Sequence, residues 1–526
     1  MRNKELIYEY LFIILIIILN LSFTINFLSN HYDTIIDEKV AYYPVKYLFE
    51  NGNLTLDNSA NVYYNTCIFS SYLTASDFSR NSYFSIFSTN TLFYITFYMS
   101  FLDNFLKYST IIFSLGSVLI FYYISRRLFS KKYICMLLTL VFSLSPIFLK
   151  YSSTFFNCIP TLFFFLFITF EILKDKDNRN YFLVGLFFFC LIMIRPQDLV
   201  LIFPILFFMF INKESKRSYI IFITFPFLFI AYFLSVNFVL YKSIFFLPPM
   251  YITNFPCLQY DTGSYSNSIM DIFHYFTYGG SKRFLLYFTN LIFFLNSSFI
   301  FPVLIPSCVL LIVYILKKDK FAIWLFSIFV VLFLLYGYKI NYFGFGNKSF
   351  QTSLFRYMIY FYSLLPFIFG KYINKMTNRK FLIILIFSSV MLLIFTIPLV
   401  KEYYPGGIDN FNLNKDQTER FNLQFEKFYN KSDIFIVDYY TNKLASPNKT
   451  NIIQLDSILS DSKIPTDRVY LELYSVIDLA LYENKSVYFI KQTGYNNSNI
   501  LFNNLSGRYN MIHYLNDYSF DTYKLT

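Results

Sequence analysis

The chain has 526 residues, of which 56% are hydrophobic, 23% aromatic and only 14% charged, and its apolar residues come in runs of roughly 17–25, the length that spans a bilayer as helix. Lys and Arg exceed Asp and Glu by 12, but the excess sits in short clusters between apolar runs, the pattern of cytoplasmic turns, so a DNA- or RNA-binding face is excluded. The six cysteines have no metal-ligand spacing; only Cys67 and Cys257 fall in expected external loops, and nothing in the spacing supports a disulfide between them.

In chain order, the first apolar run, Leu6 to Leu28, is too long for a signal-peptide core and lacks a small-residue cleavage site, so it reads as a retained first helix. Further spans are expected at 105–125, 133–149, 156–173, 181–195, 198–212, 218–240, 299–316, 321–338, 354–370 and 381–399, about eleven in all. Alternation from a cytoplasmic N-terminus places "MRNK", "RRLFSKK", "KDKDNR", "NKESKR", "KKDK" and "KYINKMTNRK" on one side, as the positive-inside bias requires. This holds only if Tyr83–Asn104 and Arg283–Asn296 do not span, so both are expected to lie in the interface or to re-enter.

The predicted fold is therefore a membrane all-α polytopic bundle over 1–400. It carries interfacial helices in a first exterior loop (29–104), a second long exterior loop (241–298), and a soluble exterior α/β domain at 401–526. Within the tail, "DIFIVDYY" (433–440) and "SVYFIKQ" (486–492) read as short buried strands, and "TDRVYLELYSVIDLALY" (466–482) as the amphipathic helix between them. The expected location is the plasma membrane, multi-pass, with the N-terminus cytoplasmic and the C-terminal domain outside.

Directly after the first span, Asp37 and Glu38 open the helical pattern "DEKVAYYPVKYLFENG", which Asn51-Gly52 closes. Acids in a first helical turn complement the helix dipole by about 0.3–1 kcal/mol, which is reason enough for them structurally. Neighbouring helical residues point about 100° apart, so the two cannot aim at one atom; in a chemical role one is a base and the other orients a partner.

This layout resembles the first-loop signature of the GT-C glycosyltransferases, in the branch of the protein O-mannosyltransferases and bacterial aminoarabinose transferases (glycosyltransferase family 39-like). Three more segments are similar to that family in order: "SRRLFSKKYICMLLTLVFSLSPIFLKYSS" (125–153), "VGLFFFCLIMIRPQDLVLIFP" (184–204) with its Arg-Pro, and "SLFRYMIYFYSLLPFI" (353–368) with a late Arg-Tyr. The chain departs from the pattern at Ala41, where a Tyr is usual, and in the 150–157 loop, which lacks an acid that some members carry.

The resemblance implies sugar transfer, with inversion, from a polyprenyl-phosphate donor to a protein, glycolipid or lipid-linked glycan acceptor at the exterior face. An acceptor hydroxyl needs a carboxylate to take its proton, and Asp37 is the expected base, with Glu38 orienting the acceptor or pairing with a basic neighbour. The departing lipid phosphate gains charge as the glycosidic bond breaks, so a fixed cation favours the transition state. Arg356 suits that role with its planar fork, and Lys150 and Arg195 are second candidates. All three also have a plain reading, as heads that snorkel to the interface.

Tyr42, Tyr151 and Tyr357 are expected to stack on the sugar or cradle the prenyl chain, or else to form part of an interfacial aromatic belt. His31, His274 and His513 form no motif. No metal ligand is assigned and the mechanism requires no cofactor, although it leaves room for a divalent cation. The competing readings are a flippase or transporter of polyprenyl-linked glycans and a non-catalytic scaffold. Transporters tend to carry broken helices with polar groups at mid-membrane, whereas these charges gather at the exterior mouths. An oligosaccharide transferase to Asn is disfavoured, since its Trp-Trp-Asp-Tyr-Gly-like motif is absent and the sole Trp is Trp324, within a span.

Overall fold

The computed structural model describes residues 2–28, 88–152, 157–241, 304–336, 358–374, 432–437, 466–492, 502–517 and 520–526, with short pieces at 44–45, 48–49, 55–56, 74–76, 82–84, 425, 430 and 452–454. The chain divides into two compact units, one of residues 1–30, 101–233 and 276–411, the other of 31–100, 234–275 and 412–526.

The first unit is a bundle built from α1 (Arg2–Leu28), the later part of α2 (Ser88–Leu128), α3 (Lys132–Ser143), α4 (Pro146–Ser152), α5 (Cys158–Ile172), α6 (Tyr181–Ile194), α7 (Ile202–Ile211), most of α8 (Lys216–Tyr241), α9 (Leu304–Leu316), α10 (Lys320–Tyr336) and α11 (Ile359–Asn374). Most expected spans form as helices, but several are cut short. The run 133–149 divides at Ser145-Pro146, where Pro lacks the donor that would continue the ladder and Ser145 Oγ accepts from Phe148 N at 3.4 Å. The run 198–212 begins instead as a 3-10 turn, Pro196–Leu201.

Only Ser109–Leu128 and Lys216–Val239 are, among the described residues, long and apolar enough to cross a bilayer by themselves; the shorter apolar helices have 10–17 residues. The expectation of about eleven spans thus rests on the sequence, and 381–399 and 283–296 lie outside the described residues. The interfacial helix expected at 83–104 is not a separate element. Residues 82–84 form a strand, and from Ser88 the chain runs into α2 as one helix of 41 residues. Its Ser-Thr-Asn interruptions do not break it, because it contains no Pro and a single Gly, Gly116.

Large apolar side chains line the outside of this unit, among them Phe203 (64% exposed), Phe210 (72%), Ile220 (68%) and Leu316 (77%). Water does not tolerate so much exposed hydrocarbon on a monomer; a lipid-facing wall does. Inside, aromatic rings pack closely: Phe121 stacks on Phe142 at 4.2 Å and on Phe367 at 4.4 Å.

One end of the bundle is defined by its basic loops. Helices α7 and α9 end with Lys213 (φ 52°) and Lys318 (φ 58°) in the left-handed conformation that usually calls for glycine. In each, the next N–H returns to the helix, Glu214 N to Met209 O at 3.1 Å and Asp319 N to Tyr314 O at 3.0 Å, which presents that acid to a neighbouring loop. Glu214 pairs with Arg179, and Asp319 receives Lys371 Nζ on both carboxylate oxygens at 2.8 Å.

Lys131 Nζ donates to Asn374 O at 3.0 Å, Lys320 Nζ to Asn212 Oδ1 at 3.3 Å and Lys176 Nζ to Lys213 O at 2.9 Å. On α1, Glu9 accepts from Tyr122 and pairs with Arg126 Nε and Lys132 Nζ, both at 3.0 Å. The five basic loops after "MRNK" are therefore tied together, and with the start of α1, at the same end of the bundle. That is the geometry the alternating charge pattern requires.

The second unit contains a small antiparallel sheet of β1 (Thr55–Leu56), β2 (Thr74–Ser76) and β3 (Ser82–Phe84), ordered β1-β3-β2. It also contains a five-stranded sheet of β4 (Ile434–Val437), β5 (Ile452–Gln454), β6 (Val487–Gln492), β7 (Met511–Asp517) and β8 (Phe520–Leu525), in the order β5-β4-β6-β8-β7. Strands β5, β4 and β6 are parallel, while β8 and β7 add antiparallel.

All four residues of β4 are buried, the run expected of a strand covered on both faces. Helix α12 (Thr466–Tyr482) covers one face with Val469, Leu473, Val476, Ile477 and Ala480, a helical stripe that meets Ile434, Ile436, Val487 and Phe489. The opposite face carries Phe435, Val437, Tyr488 and Ile490 with Phe425. Helix α12 has the bounds read from its amphipathic period, and β4 and β6, the two strands read from sequence, are direct parallel neighbours.

Candidate active site

The end of the bundle away from the basic loops holds a different kind of polar structure. Helix α6 starts at the basic end, where Asn180 Oδ1 caps Phe182 N (3.1 Å) and Leu183 N (3.3 Å), and stops fourteen residues later at Arg195. Pro196 has no N–H to offer the α6 ladder, so the chain tightens into the 3-10 turn, with Asp198 N on Arg195 O at 2.9 Å. Residues three apart eclipse one another in such a turn, which brings Arg195 Nη1 to 3.4 Å from Asp198 Oδ2.

Tyr360, in the first turn of α11, donates its phenolic hydrogen to the same Asp198 oxygen. The Thr161 hydroxyl, near the start of α5, approaches that phenol as well. Phe165, one turn further along α5, packs against the Tyr360 ring with centroids 4.9 Å apart. Asp198, Tyr360 and Thr161 are 0% exposed and Arg195 5%. Helices α5 and α11 run from this cluster to the basic end, where Lys174 pairs with Glu171 and Lys371 with Asp319, so the cluster lies at the ends of α5 and α6 away from the basic loops.

A second buried polar group surrounds α4. Asn20 on α1 donates to Ser143 O at 3.3 Å, and Ser114 Oγ on α2 lies 3.1 Å from Asn20 Oδ1 and 2.8 Å from Ser152 Oγ. Ser152 closes α4, the short helix that carries Lys150 and Tyr151. Polar side chains inside an apolar bundle are costly unless partnered, and here they partner across α1, α2, α3 and α4.

The expected site residues divide as follows. Arg195 is described and sits buried beside Asp198; Tyr151 is described and is only 4% exposed. Lys150 is placed by its backbone on α4. Asp37, Glu38, Tyr42, Arg356 and Tyr357 lie outside the described residues. No group of three or more His, Cys, Asp or Glu able to hold a metal occurs among the described residues.

Sequence reasoning overlooked Asp198 and Tyr360. The available signal was the Arg-Pro-Gln-Asp spacing, since an acid three residues after an Arg across a Pro is set up to pair with it. Chemically, the arrangement is a guanidinium whose charge a carboxylate balances, with a phenol fixing that carboxylate's direction.

Residues 80–241 match the family described as "Dolichyl-phosphate-mannose-protein mannosyltransferase". That stretch, less than a third of the chain, covers β3 through α8 and so includes Lys150, Tyr151, Thr161, Arg195 and Asp198. Among solved structures, the chain is similar to ArnT from Cupriavidus metallidurans in the apo state, at 10% identity and TM-score 0.49, over 97% of each chain. It is also similar to the apo oligosaccharyltransferase from Archaeoglobus fulgidus, at 10% identity and TM-score 0.48, over 91% of this chain and 69% of that one. The same organism's AglB with an inhibitory peptide and a dolichol-phosphate gives 11% identity and TM-score 0.42, over 92% and 69%.

No curated protein sequence matches the chain. At TM-scores below 0.5 these structural likenesses are remote, and the bundle is read from its own contacts. The family match nonetheless agrees with the resemblance carried by "SRRLFSKK…SPIFLKYSS" and by the span "VGLFFFCLIMIRP" that leads to Arg-Pro, and over residues 80–241 this chain is similar to the dolichyl-phosphate-mannose-protein mannosyltransferases, membrane glycosyltransferases of the GT-C kind.

Proposed function

We propose that this chain is an integral-membrane glycosyltransferase that moves a sugar from a polyprenyl-phosphate donor to an acceptor at the exterior membrane face, with inversion at the anomeric carbon. The observation that carries the reading is the division of the bundle into two ends. Five basic loops are tied to one another at one end, while Arg195, Asp198, Tyr360 and Thr161 meet, buried, at the other. By the positive-inside bias the basic end is cytoplasmic, which makes the opposite end the exterior rim.

At that rim Asp37 acts as the base that takes the acceptor proton, and Glu38 orients the acceptor or pairs with a cation. Arg356 meets the lipid phosphate through two N–H donors as its charge grows. Lys150 stands second, and Arg195 third, because Asp198 already balances its charge. Tyr42, Tyr151 and Tyr357 supply apolar faces to the sugar or to the prenyl chain. The α/β sheet of the C-terminal tail belongs to the exterior side and is available to an acceptor, be it protein, glycolipid or lipid-linked glycan.

The test is reconstitution of the full chain with a radiolabelled polyprenyl-phosphate hexose and a crude membrane acceptor. Wild type transfers label, and Asp37→Asn loses roughly 10²–10⁴-fold in rate, as removal of a general base does. Equal transfer by both proteins ends the base assignment. Label that crosses the bilayer on its lipid without donor consumption makes the chain a transporter instead.

A further inference from the structure

We propose that the first half of α8 is a binding site for one anionic phospholipid of the cytoplasmic leaflet, with its phosphate on Lys216 and Arg217 and an acyl chain in the groove that begins directly below them. The groove has a volume of about 650 Å³ and, among the described residues, follows one face of α8 from Tyr219 through Ile223 and Phe227 to Ala231. The opposite face is the one that joins the bundle. Phe222, Phe225 and Phe229 pack there on Phe188, Phe182 and Phe189 of α6, with ring centroids 5.6, 5.2 and 6.3 Å apart. Ile220, Phe227 and Leu228, on the groove side, are exposed.

The positive-inside bias accounts for how many cations gather at this end, but not for which of them lack a partner. Arg126 and Lys132 hold Glu9, Lys174 holds Glu171, Arg179 holds Glu214 and Lys371 holds Asp319, while Lys176 and Lys320 bond to the loop before α8. Lys216 and Arg217 are exposed and, among the described residues, make no ion pair or side-chain hydrogen bond. The acid beside them in sequence, Glu214, is taken by Arg179, and Asp175 and Asp177 pair with neither.

Their place on the helix ties them to the groove. Lys216 stands three residues before Tyr219 and four before Ile220, and Arg217 three before Ile220, so both head the groove on its own face. Lys213, Lys317 and Lys318 are also without an acid, but they lie in loops and not on α8.

Length selects the occupant. From Tyr219 to Ala231 the helix rises about 18 Å, little more than half of a hydrocarbon core of about 30 Å. The groove thus runs from the cationic end to near the bilayer midplane, the depth of one leaflet. A negative head above an apolar tail matches that order of two cations followed by hydrocarbon.

The test is native mass spectrometry of the full chain in detergent, titrated with palmitoyl-oleoyl phosphatidylglycerol and, separately, with the phosphatidylcholine of the same chains. Wild type is expected to hold one phosphatidylglycerol roughly tenfold more tightly than phosphatidylcholine, and Lys216→Gln with Arg217→Gln to bring the two within about twofold. Thr224→Trp, at an exposed position on the groove face, should weaken both lipids by filling the seat of the chain. Lys317→Gln with Lys318→Gln removes the same charge from the α9–α10 loop and should leave the preference within about twofold of wild type.

Equal affinity for the two lipids in wild type, or a preference that survives Lys216→Gln with Arg217→Gln, overturns the headgroup site. An equal loss in Lys317→Gln with Lys318→Gln makes the attraction a diffuse cationic surface and overturns it as well. Unchanged phosphatidylglycerol binding in Thr224→Trp removes the acyl chain from the groove. A dimer that persists without lipid and dissociates in Thr224→Trp gives the groove to a second copy of the chain, which also overturns the proposal.

Discussion

The two ends of the bundle solve the same problem, holding short helices in register, by opposite means. At the basic end several ion pairs share the work, most of them partly exposed, although Arg179 and Glu214 are themselves only 10% and 4% exposed. Lys371 and Asp319 are 22% and 26% exposed, and Lys132, 31% exposed, reaches Glu9. Each such pair adds little, because water and salt screen it, and the loss of one leaves the others in place. At the other end, among the described residues, the charges of Arg195 and Asp198 are buried together with Tyr360, so each of the three depends on the others. The lesson is that distributed ion pairs tolerate change, whereas a buried pair concentrates the consequences of change in one residue.

Asp198→Ala breaks this comparison most severely. It leaves Arg195 buried without its carboxylate and is expected to cost about 3–5 kcal/mol, read as a large drop in the thermal unfolding temperature in detergent. A variant that unfolds within a degree of wild type removes the distinction between the ends.

Between the extremes lies Gly370, on the same helix α11 and about one turn beyond its middle toward the basic end. A Cβ there meets Leu138 Cδ1 at 2.6 Å and Phe129 Cζ at 2.7 Å, so Gly370→Ala is expected to cost roughly 1–3 kcal/mol by overpacking. The same unfolding assay checks it, and no loss means that α11 can shift away from α3.

Lys371→Ala, at the basic end proper, is expected to cost only about 0.2–1 kcal/mol. In 1 M salt the gap between Lys371→Ala and wild type should close, while the Asp198→Ala deficit persists, since buried charges are barely screened. An Asp198→Ala deficit that also closes in salt places water at the cluster and undoes the contrast.

Much of this was legible in the sequence, for reasons that can be named. Helix α12 shows its apolar stripe at Val469, Leu473, Val476 and Ala480, and β4 its unbroken "IFIV", because amphipathic period and continuous burial are local patterns. Arg195 stood out by its place at a helix end before a Pro. Asp198 did not, since an acid in the first turn of an expected span is what the helix dipole alone would favour. Tyr360 looked like one more member of an aromatic-rich run; its neighbour Tyr357 attracted attention instead.

The endings of α7 and α9 were hidden as well. A left-handed C-terminal residue is usually announced by Gly, and here Lys213 and Lys318 take that conformation. Likewise 83–104 read as separate because polar residues interrupt it, although only Pro or repeated Gly would have forced a break in α2.

By itself, then, the chain's order of residues determined the helical bundle, the gathering of basic loops at one end and the strand-helix-strand core of the tail. Each follows from sums over neighbours: the free energy of moving an apolar run into lipid, the bias of cations to one side, the period of a buried stripe. Only the tertiary structure decided that Asp198 belongs with Tyr360, 162 residues away, and that Glu214 and Asp319 turn toward Arg179 and Lys371. The partner of a charge depends on which helix packs beside it. That packing is settled by the shapes of many side chains at once, and no local pattern in the sequence records it.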